Sequence, residues 1–262
     1  MFNHLLFKTE NNVAYITLNR PETMNAFNHQ MMQEFIEVMN ICKEDKSIRA
    51  IVITGAGKMF SAGGDIKWMK SAQDENWKDN FGKLIYLLHK AIRSIRNIEK
   101  PVIAAVNGFA SGAGFSLALA CDIRIASENA KFNQAYINIG LTPDGGSTYF
   151  LTQMLGMARA LDLIFTARVI DAKDALDLGL VSRVVPSDSF EDEIKKIAST
   201  YATGPTLAFG RAKILVNKAI NNDFDTQLTL EAENILLTSL SNDFKEGLNA
   251  FFDKRKPNFF GE

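Results

Sequence analysis

Apolar side chains recur along the first half of the chain with two periods, one typical of strands and one typical of helices. Residues Val13–Leu18 alternate, which indicates a strand with one buried face. Ala50–Thr54 and Val102–Val106 are short continuous apolar runs, the pattern of fully buried strands. Residues 28–43 and 77–98 instead carry apolar side chains at helical spacing. This alternation of strands and helices predicts a layered α/β core.

The second half of the chain has a different pattern. From Ser147 onward, successive amphipathic helices are predicted, interrupted by a short strand at Leu180–Val185. Gly204 and Pro205 together form a helix stop and a helix start signal. We therefore divide the chain into a core, residues 1–200, and a helical C-terminal region, residues 201–262. No linker rich in proline or glycine separates them, so the C-terminal region is expected to pack on the core.

Composition and charge narrow the range of functions. Hydrophobic residues make up 47% of the 262 residues, enough to bury a large core, and the formal net charge is only -1. Because the basic residues are dispersed, nucleic acid is not an expected partner. Cys42 and Cys121 lack the spacing of a disulfide framework or zinc site, which favours a reducing cytoplasm. No signal peptide or membrane-spanning run is predicted.

The first candidate segment is Lys58–Lys67, which follows a predicted strand. Its consecutive small residues, Ala62, Gly63 and Gly64, leave backbone N–H groups unshielded. Such groups form a nest that can bind an anion or an oxyanion. The alternative interpretation is a tight turn before a helix capped by Asp65.

The second candidate segment, Val106–Ala120, reads as a strand, a glycine-rich bend and a short apolar helix. The N-terminus of that helix offers free N–H groups and a partial positive charge, which suit a phosphate or a developing oxyanion. The run matches neither the P-loop nor the dinucleotide fingerprint. A close-packed buried helix that needs small residues explains the same pattern.

The third candidate segment is Phe132–Ser147, which contains Asp144 between Pro143 and Gly145. This order is common in exposed turns. Asp144 nevertheless follows an apolar run and precedes a helix predicted to begin near Ser147, so its carboxylate could project into a cleft. There it could transfer protons as a general base.

Several other residues have weaker signals. His4, His29 and His89 lie far apart without metal-ligand spacing, so they are interpreted as surface or structural groups and no metal is expected. Trp68 and Met69 could line a substrate pocket, although packing explains them as well.

Seven segments in this order resemble the enoyl-CoA hydratase/isomerase (crotonase) superfamily, over essentially the whole chain. They are Leu18–Phe27, Phe60–Lys67, Lys100–Gly108, Ala120–Ala126, Gly140–Gly146, Ala172–Val181 and Gly247–Lys256. The resemblance implies a spiral of strand-strand-helix units with a helical C-terminal region. It also implies homotrimers that commonly pair into hexamers.

The resemblance further implies roles for particular residues. The backbone N–H groups of Gly64 and Ala113 are expected to hold a thioester oxygen. Coenzyme A, as part of the substrate and not as a permanently bound cofactor, is expected to bend around residues 62–67. The coenzyme-binding positions are then Ala62, Gly64, Asp65, Ile66 and Lys67, with Phe251 and Lys254 reaching the coenzyme of a neighbouring subunit.

The chain departs from the hydratases of this superfamily at two positions. Those enzymes use two glutamates where this sequence has Ser116 and Tyr136, which are poor replacements for orienting and deprotonating water. Asp144 is the one acid at a matching catalytic position. The isomerases of phenylacetate catabolism, which convert a ring-epoxide CoA thioester to an oxepin and also shift double bonds, resemble this chain in having Pro-Asp at this position. Their tails also resemble Asp225–Leu230 and Lys245–Gly247, so an isomerase is favoured.

Other functions remain open within the superfamily. The chain could be an enoyl-CoA hydratase of fatty-acid or aromatic catabolism, or a member that binds acyl-CoA without catalysis. A third alternative is an aryl-CoA dehalogenase, in which Asp144 would attack an aromatic ring and Tyr136 would help to orient it. RNA binding, known for one branch, is disfavoured by the near-neutral charge.

Overall fold

The computed structural model of the chain describes residues 2–262 and contains two β-sheets surrounded by helices. The larger sheet has six strands in the order β1-β2-β3-β5-β7-β10. Their bounds are β1 Leu5–Glu10, β2 Val13–Leu18, β3 Ala50–Gly55, β5 Val102–Val106, β7 Ile123–Ser127 and β10 Arg183–Val185. Strands β1 and β2 form an antiparallel hairpin, and the remaining neighbours are parallel.

The smaller sheet has four short strands in the order β4-β6-β8-β9. Their bounds are β4 Met59–Ser61, β6 Phe109–Ser111, β8 Lys131–Asn133 and β9 Ile170–Asp171. Each of β3, β5 and β7 in the larger sheet is followed directly along the chain by one of β4, β6 and β8. The predicted α/β spiral of strand-strand-helix units is confirmed, and the structure adds that the two strands of each unit belong to different sheets.

Eleven α-helices occur within residues 2–262. In chain order they are α1 His29–Glu44, α2 Ile66–Ser71, α3 Trp77–Asn97, α4 Ala113–Ala120, α5 Ser147–Leu155, α6 Met157–Thr166, α7 Ala172–Asp177, α8 Phe190–Ala202, α9 Thr206–Ala219, α10 Phe224–Ser239 and α11 Asn242–Phe252. The two helices predicted in the first half correspond to α1 and α3. Their boundaries shift by one residue, which is the usual uncertainty at helix ends.

The strand predicted at Leu180–Val185 is shorter in the structure and begins at Arg183. Leu180 and Val181 donate their backbone N–H groups to the carbonyl of Ala175, at 2.8 and 3.2 Å. These two residues therefore close the C-terminus of α7 instead of pairing with a strand. Their apolar side chains are buried beneath that turn, and an apolar run alone does not distinguish the two arrangements.

The C-terminal helices pack on the core, as the missing linker predicted. The side chain of Lys213 in α9 is 8% exposed and forms an ion pair of 2.8 Å with Asp122, which lies between α4 and β7. The side chain of Arg49 bonds to the Thr206 hydroxyl at 2.9 Å. Helix α8 ends at Ala202 and α9 begins at Thr206, so the Gly204 signal lies where the direction of the chain changes. No helix within residues 2–262 is both long and apolar enough to cross a membrane.

Candidate active site

The loops after β4 and β6 meet because these short strands are parallel neighbours in the smaller sheet. Gly63 has φ of +87°, and a Cβ atom built there would lie 2.7 Å from the Ser111 carbonyl oxygen and 2.8 Å from the Ala113 nitrogen. A Cβ on Gly114 would lie 2.5 Å from the Ser61 carbonyl oxygen. Only glycine permits such close approach of two backbones. The two candidate nests therefore form one structural unit.

Buried polar side chains hold this unit in place. Asn25 is fully buried and donates its side-chain amide to the carbonyls of Ala56, at 2.9 Å, and Met59, at 2.8 Å. The buried Ser61 hydroxyl donates to the Asn25 carbonyl at 2.8 Å and accepts from the Gly63 N–H at 3.1 Å. Since buried polar groups are costly when unpaired, these paired groups define the position of the loop.

The backbone N–H groups of Gly64 and Ala113 are among those in this unit that have no acceptor within residues 2–262. Ala113 is the first residue of α4, where helix geometry leaves N–H groups without an intrahelical partner. Both residues line the same cavity, with a volume of about 310 Å³. The two N–H groups can donate hydrogen bonds to a carbonyl oxygen that gains negative charge.

The cavity is mostly apolar. Helix α3 forms one wall with Phe81, Leu84, Ile85 and Leu88, which are spaced as one face of a helix. The remaining lining residues are Phe27, Ala62, Gly64, Ile66, Met69, Gly112, Ala113, Ala135, Tyr136, Ile139, Leu141, Thr142, Pro143 and Asp144. Such a lining suits an acyl chain or a ring.

An aromatic cluster lies beside this wall. Trp77 stacks on Phe81 with ring centroids 4.7 Å apart, and Trp68 packs against Trp77 at 5.8 Å. His29 contacts Trp68 edge-on at 5.1 Å. Trp68 therefore packs in a cluster next to the cavity, whereas the neighbouring Met69 lines it.

Asp144 lies at the end of the cavity wall and not on an exposed turn. Its backbone carbonyl accepts hydrogen bonds from the Ser147 N–H at 3.3 Å, the Ser147 hydroxyl at 3.1 Å and the Tyr136 hydroxyl at 3.3 Å. Its side chain is 24% exposed. The carboxylate oxygen Oδ1 accepts from the Gly145 N–H and contacts Nε2 of His89. The expectation that Asp144 projects into a cleft is met by this geometry.

Ser116 and Tyr136 lie behind and beside Asp144. Their hydroxyls share a hydrogen bond of 3.1 Å. Ser116 is fully buried and does not line the cavity, whereas Tyr136 does. Burial raises the pKa of the Tyr136 phenol above its ordinary value, and the nearby Asp144 carboxylate raises this pKa further, while the Ser116 hydrogen bond opposes both. Tyr136 is therefore a neutral hydroxyl near neutral pH.

The proposed coenzyme-binding residues fall into two groups. Ala62 and Ile66 line the cavity, and Lys67 is exposed in the first turn of α2. Asp65 is buried instead; its carboxylate accepts from the Trp68 N–H at 3.1 Å and pairs with Arg20 at 3.1 Å. Its side chain thus serves as the helix cap that the alternative interpretation predicted.

Phe251 and Lys254 lie at and just beyond the C-terminus of α11. Both are exposed, and neither lines the cavity of its own chain.

No pattern in the sequence indicates the contact of His89 with Asp144. These residues are 55 positions apart, and only the packing of α3 over the cavity brings them together. The other two histidines behave as structural groups: His4 bonds to Asn28 at 3.2 Å, and His29 bonds to the Asn80 carbonyl at 2.9 Å. Residues 2–262 contain no group of three or more His, Cys, Asp or Glu side chains able to hold a metal ion.

Comparison with known proteins gives a consistent result. A family model described as enoyl-CoA hydratase/isomerase matches residues 8–262. The crotonyl-CoA hydratase of Syntrophomonas wolfei subsp. wolfei is 38% identical over 262 residues, 100% of this chain and 99% of that protein. The 1,2-epoxyphenylacetyl-CoA isomerase of Escherichia coli is 37% identical over 263 residues, 100% of both chains.

A solved structure extends this similarity to the fold. The crystal structure of an enoyl-CoA hydratase from Polaromonas sp. JS666 superposes with a TM-score of 0.94 and 36% sequence identity. The match covers 97% of this chain and 99% of that one. The two sheets and the C-terminal helices are therefore shared.

Proposed function

Because this chain belongs to the enoyl-CoA hydratase/isomerase family, we propose that it is an isomerase of acyl-CoA thioesters. The reaction is the shift of a double bond, or the isomerisation of a ring epoxide, through an enolate. Coenzyme A enters as part of the substrate, and no permanently bound cofactor takes part. Ala62, Ile66 and Lys67 are assigned to coenzyme binding.

One observation carries this proposal. Two backbone N–H groups without acceptors, those of Gly64 and Ala113, and one carboxylate, that of Asp144, line a single apolar cavity. Asp144 is the only acid among the cavity-lining residues within the described part of the chain. One carboxylate beside an oxyanion site is sufficient for a proton to be removed from one carbon and returned to another.

For a 3-enoyl thioester, the Asp144 carboxylate takes a proton from C2, and the electron pair moves onto the thioester oxygen. The N–H groups of Gly64 and Ala113 stabilise the negative charge of this dienolate. The loss of one such donor typically lowers turnover about 10²- to 10³-fold. Protonated Asp144 then returns the proton to C4, and the product is the conjugated 2-enoyl thioester.

Hydration is the second candidate function. Relatives named hydratases match this chain at 38% and 39% identity and relatives named isomerases at 37% and 32%, so their names do not separate the two reactions. Ser116 and Tyr136 favour isomerisation because their hydroxyls bond to each other and the phenol stays protonated. A hydratase needs groups that orient and deprotonate water, and these two hydroxyls are poor bases near neutral pH.

Asp144→Asn tests the proposal directly. With a 3-enoyl-CoA substrate, formation of the conjugated thioester is expected to fall about 10²- to 10⁴-fold, the usual contribution of a general acid–base group. Affinity for coenzyme A, measured by calorimetry, should change little because Asp144 is not among the residues assigned to coenzyme binding.

The same preparation of wild-type protein is assayed for hydration of a 2-enoyl-CoA. Hydration faster than isomerisation would replace the isomerase by the hydratase. Tight binding of acyl-CoA without turnover of enoyl, epoxide or haloaryl thioesters would identify a protein that only binds its ligand. Release of halide from a haloaryl thioester would identify a dehalogenase.

A homotrimer or a pair of trimers is also proposed. Large apolar side chains are exposed along α10 and α11, including Ile235, Leu240 and Phe252, and monomers rarely expose such a contiguous patch. Phe251 and Lys254 lie beside that surface and are assigned to the coenzyme of a neighbouring subunit. Sedimentation velocity measures the assembly, and a monomer at micromolar concentration would remove the proposal.

A further inference from the structure

The side chain of His89 lies between the exterior of the protein and the Asp144 carboxylate. Helix α3 lines the cavity with Ile85 and Leu88, and His89, one turn after Ile85, brings Nε2 against Asp144 Oδ1. We propose that His89 is a positioning residue, which holds Oδ1 of Asp144 so that Oδ2 alone exchanges protons with the substrate. This inference rests on the isomerase proposed above.

Hydrogen-bond chemistry assigns the proton on the imidazole ring. The backbone N–H of Gly145 donates to the same oxygen, Oδ1. A carboxylate oxygen only accepts, so Nε2 of His89 carries a proton and donates it to Oδ1. In the neutral ring, Nδ1 is then the unprotonated nitrogen.

The second oxygen of Asp144 has a different environment. Oδ2 has no hydrogen-bond partner among residues 2–262, whereas Oδ1 has two donors. Because Asp144 lines the cavity, its free oxygen is the one available to a substrate carbon. The two oxygens of one carboxylate are thus distinguished by their neighbours.

This asymmetry matters for a reaction that uses one carboxylate twice. The side-chain torsion of aspartate that turns its carboxylate has broad minima, so an unrestrained carboxylate rotates between proton removal and proton return. With Oδ1 fixed by two donors, Oδ2 takes the proton from C2 and returns it to C4. The His89 proton does not move, and Oδ1 accepts its hydrogen bonds in both protonation states.

His89 contributes little to the fold. Its side chain is 40% exposed, and α3 is anchored by buried residues on its other positions, among them Leu84, Leu88 and Ile95. A hydrogen bond at a half-exposed position adds only about 0.5–1.5 kcal/mol to stability. Substitution of His89 should therefore leave a folded protein whose catalysis can be measured.

The test compares His89→Ala with His89→Gln. Alanine removes the donor, so kcat for 3-enoyl-CoA isomerisation is expected to fall on the order of 10- to 100-fold, the cost of a misplaced reacting group. KM should change less than about threefold because His89 does not line the cavity. Glutamine places an N–H near the position of Nε2 and should restore most of kcat.

Lys90→Ala is the matched control, because Lys90 is the next residue of α3 and is exposed. Its kcat should equal that of the wild type. An unchanged kcat in His89→Ala, or an equal loss with alanine and glutamine, would overturn the positioning role.

A measurement without turnover separates this inference from the proposed function. ¹⁵N NMR of labelled histidine should show the Nε2–H tautomer for His89 in the wild type, and Asp144→Ala should change its resonances. Unchanged resonances in that variant would overturn the His89 inference even in an active isomerase. Absence of isomerase activity in the wild type would instead overturn the proposed function.

Discussion

The two sides of the cavity are constructed in opposite ways. On one side, the N–H groups of Gly64 and Ala113 are backbone atoms in loops that pack without room for a single added carbon. On the other, the half-exposed side chains of Asp144 and His89 meet across a helix and a loop. A substitution can replace the side chains of Asp144 and His89 directly. It can change the positions of the Gly64 and Ala113 N–H groups only by forcing two backbone segments apart.

This difference explains how one fold can serve several reactions. In the proposed mechanism, the backbone side binds the feature that every thioester reaction of this kind shares, a carbonyl oxygen that gains charge. The side-chain side then determines which proton moves. Relatives named hydratases and isomerases, at 37–38% identity over the whole chain, are consistent with a fixed backbone side and a variable side-chain side.

Gly63→Ala should have the largest effect on the backbone side. The new Cβ would lie 2.7 Å from the Ser111 carbonyl oxygen, so β6 and the start of α4 must shift. Overpacking of this kind costs about 1–3 kcal/mol of stability. Displacement of the Ala113 N–H should also lower kcat/KM about 10²-fold. Urea unfolding and steady-state kinetics measure the two effects.

Gly179→Ala is the control for Gly63→Ala. Gly179 also has a positive φ, +74°, but no atom lies within 4 Å of a Cβ built there. Gly179→Ala therefore introduces the strain of an alanine at positive φ but no steric clash with a neighbouring backbone. Similar losses in both variants would show that the close approach of the two loops is unimportant.

Tyr136→Phe should have a smaller effect, on the side-chain side. It removes the hydrogen bonds to Ser116 and to the Asp144 carbonyl, which contribute about 0.5–1.5 kcal/mol each. The pKa of Tyr136 is raised by burial, so above about pH 10 the unfolded chain loses a proton that the folded protein keeps. The stabilisation that the protonated Tyr136 phenol provides is complete below about pH 10 and is lost as the pH rises further.

The stability difference between wild type and Tyr136→Phe should therefore narrow from about pH 8 to about pH 11. Urea unfolding at several pH values measures it. A difference that widens with pH would mean that the phenol is not buried as described.

The smallest expected effect concerns Cys121, which follows the C-terminus of α4, the helix whose first residue is Ala113. Burial raises the pKa of its thiol to about 12, so almost no thiolate exists near pH 8. In the Cys42→Ala variant, Cys121 is the thiol that remains. A disulfide reagent should modify this thiol no faster than the protein unfolds. Rapid modification of Cys121 without global unfolding would show that α4 and its surroundings open locally. The backbone side of the cavity would then be no more rigid than the side that carries Asp144 and His89.

Local patterns predicted much of the fold. The alternating and continuous apolar runs gave β2, β3 and β5, and helical spacing gave α1 and α3. The strand at Leu180–Val185 was too long in the prediction because an apolar run does not reveal whether its backbone pairs with a strand or closes a helix. The two-residue strand β9 was not predicted, since it is too short to show a period.

The candidate site was predicted less completely. The glycine-rich segments and Asp144 were identified from the sequence, because small residues and a carboxylate between apolar runs are visible locally. Ser116 occupies the position of a hydratase glutamate, and the structure buries it behind Tyr136. His89 was interpreted as a surface or structural group, since nothing in its neighbourhood indicates a partner 55 residues away.

By itself, the sequence determined which segments could be strands or helices and which positions could expose backbone N–H groups, because these depend on neighbouring residues and their torsions. The tertiary structure decided that two loops and α3 converge on one apolar cavity. It also decided that one oxygen of Asp144 is held while the other is free. Those facts depend on contacts between residues far apart in the chain, which arise only when the two sheets and the helices around them pack together.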